Sequence, residues 1–121
     1  MQRPETRAEA LAAIPVPLPG VLAETGPGGL VRISHPAAVR PWLARLLPAS
    51  LRQPVRTLEL DAMGTFVWTH IDGRASVAVL AGLVAQRYSC LPAEAEQAVA
   101  LFVRQLGQRG IVALRHNNLE E

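Results

Sequence analysis

A chain of 121 residues sets one domain and one modest core. Half of its residues are hydrophobic, which excludes wholesale disorder, and a net charge of +2 is too small to argue for nucleic acid by itself. The single cysteine, Cys90, excludes an internal disulfide framework and fits a reducing, cytoplasmic compartment, while no run of about 18 uninterrupted apolar residues is present to span a membrane.

The start, MQRPETRAEA, carries two Glu and no long apolar run, so it does not read as a signal peptide. Residues 1–19 read as an extended, proline-rich N-terminal arm. Within it ETRAEALAAI can make a short helix, and Pro15, Pro17 and Pro19 on alternate positions force an extended run. Residues 20–115 read as a single domain and 116–121 as a C-terminal tail. VLAETGPGGLVRISH is a β-hairpin, with Gly26, Pro27, Gly28 and Gly29 turning between Val21-Leu22 and Val31–Ile33.

An amphipathic segment follows over 37–53. Val39, Trp42, Leu43, Leu46 and Leu47 recur at helical spacing, with Arg40 and Arg45 outside the stripe. VRTLELD then alternates as a strand, Leu58 and Leu60 on one face and Thr57 and Glu59 on the other. Asp61 is an N-cap for a helix over 62–71 with Met63, Phe66, Val67 and Ile71 on one side. Ser76 caps a second over 76–87, carrying Val77, Leu80, Ala81 and Val84. Pro92 opens a third over 92–109, striped by Ala95, Val99, Phe102, Val103 and Leu106. Gly110 sits where a left-handed residue ends a helix, and IVAL adds a short terminal strand. The fold class is α+β. A small three-stranded antiparallel sheet, with a helical insertion before its third strand, is followed by three helices in the manner of a winged helix-turn-helix.

Chemistry is scarce. His35, His70 and His116 are far apart and have no ligand at helical spacing, so no metal site is expected. Cys90 has no base partner, and GPGGL lacks the Lys-Ser/Thr that completes a phosphate loop. No catalytic residue and no cofactor follow, and the chain does not read as an enzyme. A nucleic-acid reader of winged-helix type is the alternative. Its recognition helix would be the third, yet that helix starts with Glu94 and Glu96, the wrong sign for phosphate, and keeps Arg104 and Arg109 for its far end.

The stretch Thr57 to Ile111 resembles the PqqD family of RiPP recognition elements. The resemblance rests on LELDAMGTFVWTHIDG, SVAVLAGLVAQRY and AEAEQAVALFVRQLGQRGIV, and within them on Leu60, Gly64, Val67, Trp68, Ile71, Asp72, Gly73, Val77, Phe102, Leu106 and Gly110. Relative to a minimal member, the arm and the 37–53 segment are additions. The resemblance implies a non-catalytic adaptor that binds the leader of a ribosomally made precursor peptide by strand addition. It would present that leader to a modifying enzyme, the radical-SAM type being the one suggested, in making pyrroloquinoline quinone or another peptide-derived product. The implied groove takes Val55, Arg56, Thr57, Leu58, Glu59 and Leu60 from the strand and Val99, Phe102, Val103 and Leu106 from the third helix. A further possibility is that the groove holds the chain's own N-terminal arm.

Overall fold

The computed structural model describes residues 6–36, 46 and 55–116. The amphipathic segment over 37–53 and the tail beyond His116 therefore lie outside the described residues, except Leu46, which is exposed in a turn.

Thr6 opens helix α1 (Arg7–Ala12) with a capping box. Its hydroxyl accepts from the Glu9 N–H at 3.0 Å, and the Glu9 carboxylate accepts from the Thr6 N–H at 2.9 Å. The chain then extends as β1 (Ala13–Pro17), which pairs antiparallel with β5 (Val112–His116), from Ala13 opposite His116 to Pro17 opposite Val112. The Leu18 N–H donates to the Ile111 carbonyl at 3.0 Å. By alternation Val16 and Ile14 turn their N–H groups toward β5, and Pro15 and Pro17, which have none, fall on the outer edge. The alternate prolines thus suit a two-stranded ribbon. The segment is extended, yet it is tied in: Ala13 and Ile14 are buried, and Arg7 pairs with Glu96.

β2 (Leu22–Thr25), a short 3-10 turn over Pro27–Gly29 and β3 (Val31–Pro36) form the expected hairpin. β4 (Val55–Glu59) pairs antiparallel with β3, and the sheet order is β2-β3-β4. The three helices are α2 (Ala62–Thr69), α3 (Val77–Tyr88) and α4 (Pro92–Gln108). The first stops two residues short of the expected end. Asp72 accepts from the N–H groups of Arg74 and Ala75, at 2.8 and 2.9 Å, and shapes the turn instead. Gly110 has φ +80°, and around it the Ile111 N–H bonds the Leu106 carbonyl while the Gly110 N–H bonds that of Gly107. This 6→1, 5→2 pair closes α4 and turns Ile111 back into the core, where it is fully buried.

Two apolar clusters result. One joins Val67 of α2, Val77, Leu80, Ala81 and Val84 of α3, Ala95, Val99 and Val103 of α4, and Ala13. The other lies under the sheet and joins Val31, Ile33, Leu60, Leu106, Ile111 and Val112. Phe102 and Ile71 touch both.

Candidate functional site

The strand-to-helix corner after β4 is fixed by three hydrogen bonds. The Leu60 N–H donates to the Val31 carbonyl at 2.9 Å, the last rung of the ladder. The Val31 N–H donates to Thr65 Oγ1 of α2 at 3.0 Å, so the helix takes over where the strand stops. Asp61 Oδ1 accepts from the Gly64 N–H at 2.7 Å and caps α2. The corner holds β4 beside α4.

The same rung sets which way β4 faces. Leu60 is paired inward, so Leu58 and Arg56 are paired inward too, and Val55, Thr57 and Glu59 turn their N–H and C=O groups to the other side. No strand among the described residues pairs with that side. Side chains alternate with the same period: Leu58 is half-buried and Leu60 buried, whereas Val55, Thr57 and Glu59 are exposed.

Between this edge and α4 runs a cleft of about 580 Å³. Leu58, Glu59, Leu60 and Asp61 line it from the strand side, and Phe102, Gln105, Leu106, Gln108 and Arg109 from the helix. Phe102, Leu106 and Arg109 follow helical spacing, one to two turns apart.

Of the groove residues expected from the sequence, Leu58, Glu59, Leu60, Phe102 and Leu106 meet in this cleft. Val55, Arg56 and Thr57 lie on the same strand, exposed, outside the cleft lining. Val99 and Val103 do not reach it. Both are fully buried against α3, because Val103 follows Phe102 by one residue and so points about 100° away. One stripe on α4 serves two faces. Gln105, Gln108 and Arg109 are absent from the expected set because they are polar; for Gln105 and Arg109 the spacing of three and seven from Phe102 is the available signal, and Gln108 has none. None of the described residues of the N-terminal segment lines the cleft, and β1 is paired with β5.

Gly64 explains how the corner closes. A Cβ there would come within 3.1 Å of Asp61 Oδ1 and of Phe102 Cε1. The close neighbour is a ring and a cap; no other backbone comes that near.

No group of three His, Cys, Asp or Glu among the described residues could hold a metal ion, and no helix among them is long and apolar enough to cross a membrane.

Fold and site together define a small α+β domain that offers an open backbone edge beside a half-apolar cleft. The family described as coenzyme PQQ synthesis protein D (PqqD) matches residues 51–112, just over half of the chain. The chain belongs to the PqqD family. No curated protein and no solved structure matches it.

Proposed function

We propose that the protein is a non-catalytic adaptor in the biosynthesis of PQQ or of another peptide-derived product. It binds the leader of a ribosomally made precursor peptide as an added strand on β4 and presents that peptide to a modifying enzyme, of the radical-SAM type, in the cytoplasm. The observation that carries this reading is the outward row of backbone groups at Val55, Thr57 and Glu59 beside the cleft. An extended peptide satisfies such groups whatever its side chains, and alternate side chains drop into the neighbouring cleft. Membership of a family named for coenzyme PQQ synthesis supports the setting.

The start of α4 argues against the nucleic-acid alternative. Glu94 there accepts from the Leu91 N–H, and Glu96 pairs with Arg7, so acidic groups occupy the end that would enter a groove.

The test uses a leader encoded beside the gene, titrated by calorimetry. Thr57→Pro removes an outward N–H and should abolish binding by a folded protein. Leu58→Pro removes an inward rung and should damage the sheet itself. Undiminished binding by a folded Thr57→Pro variant would overturn strand addition at β4.

A further inference from the structure

The exposed face of the sheet carries a row of charges that alternates in sign across all three strands. Glu24 on β2 lies opposite Arg32 on β3, and Arg32 lies opposite Glu59 on β4. The Arg32 guanidinium reaches the Glu59 carboxylate at 2.7 Å. One row further along, Leu22, Ser34 and Thr57 lie in line and carry no charge. The charge pattern is therefore confined to one register, and its last member stands on the edge strand.

We infer that the peptide taken up on β4 carries a basic side chain, Lys or Arg, directly opposite Glu59, with a large apolar residue next to it. The inference rests on the strand-addition reading and names the substrate class of that site. Glu59 is one of the residues whose N–H and C=O point outward, so the residue opposite it would exchange both backbone bonds with it. The two side chains then share the exposed face. Opposite charges placed so attract, and like charges repel. Among the described residues that row holds Glu24, Arg32 and Glu59, two acids to one base, and a cation on the added strand completes the alternation. The peptide residue beside it, opposite Leu58, alternates to the other face. There it meets the cleft, where the partly exposed Leu58 and Phe102 offer apolar surface beside the polar Gln105 and Arg109, and an apolar side chain packs on the first two. Arg109 lines the cleft from α4, across from the strand, and is not a member of the row.

The test needs no knowledge of the natural leader. Panning the full chain against a displayed library of random decapeptides supplies a binder, and cross-strand nuclear Overhauser contacts identify its residue opposite Glu59. Synthetic versions with Lys, Ala or Glu at that position are titrated against the wild type and against Glu59→Gln, whose fold is checked by circular dichroism. Wild type should prefer Lys to Glu by about three- to tenfold, and Glu59→Gln should reduce the preference below about twofold. Equal affinities, or a preference that survives Glu59→Gln, would overturn the inference. If those peptides still lose binding on Thr57→Pro, strand addition stands and the charge rule alone fails. If panning yields no binder, or one indifferent to Thr57→Pro, both fall.

Discussion

The ring of Phe102 lies against Gly64, so close that a Cβ at position 64 would come within 3.1 Å of its Cε1 atom. The contact joins α2 to α4 at the head of the cleft. Gly64→Ala gains about 1 kcal/mol of helix propensity, but it must displace either the ring or the Asp61 cap. The expected outcome is a net loss of about 1–2 kcal/mol in denaturant melts, within the range for overpacking. A shifted Phe102 ring should also weaken leader binding beyond what the stability loss explains, and calorimetry on the folded fraction measures it.

Phe66 and Leu106 separate two kinds of apolar position. Leu106 is fully buried, whereas Phe66 is half-buried, tilted against His70 and edge-to-face with Tyr88, with centroids 4.6 and 6.1 Å apart. Leu106→Ala should cost about 2–5 kcal/mol. Phe66→Ala should cost about half of the roughly 3–5 kcal/mol typical of a fully enclosed ring. Urea melts of both variants check the order.

His35 is 2 % exposed, on the core face of β3. Its Nδ1 lies 3.2 Å from the Pro36 carbonyl, while its Nε2 is buried with no hydrogen-bond partner among the described residues. An unpaired buried polar atom costs about 1–3 kcal/mol, so His35→Leu should raise stability by about 1 kcal/mol. A drop in the melting midpoint would show that the imidazole has a role that its hydrogen bonding does not reveal.

Asp72 gives the domain one acid-sensitive joint. The N–H of Ala75, then that of Arg74, hold its carboxyl below the ordinary carboxylate range. A carboxyl depressed on folding adds stability above its unfolded value and loses it as pH falls through the folded one. Asp72→Asn should therefore be less stable than wild type at neutral pH, and the gap should close in acid, once the pH falls below the depressed folded value. Melts at both pH values decide; a gap that persists in acid would assign the effect to shape and not to charge.

The helices were legible in the sequence because their caps are chemical. Asp61, Ser76 and Pro92 each begin a helix where expected, and Gly110 ends one with the anticipated left-handed turn. The division of α4 between two faces was not legible. Val99, Phe102 and Val103 form one apolar stripe by periodicity, and only the position of α3 decides that the valines turn away from the cleft. The pairing of β1 with β5 was hidden for a different reason. Prolines on alternate positions predict extension equally for a solvated arm and for an edge strand, and the partner lies at the far end of the chain.

That distant pairing has a consequence for folding order. Residues 13–17 meet residues 112–116, about 100 positions later, so the ribbon closes a loop around nearly the whole domain. Loops of that length form slowly compared with the hairpin or the helix pair, whose contacts are local. During synthesis the first strand must wait for the last to be made. Until then the backbone groups of Ile14 and Val16 that face β5 have no strand to pair with. The two ends of the fold act as a latch that can engage only after the rest of the domain has been synthesised.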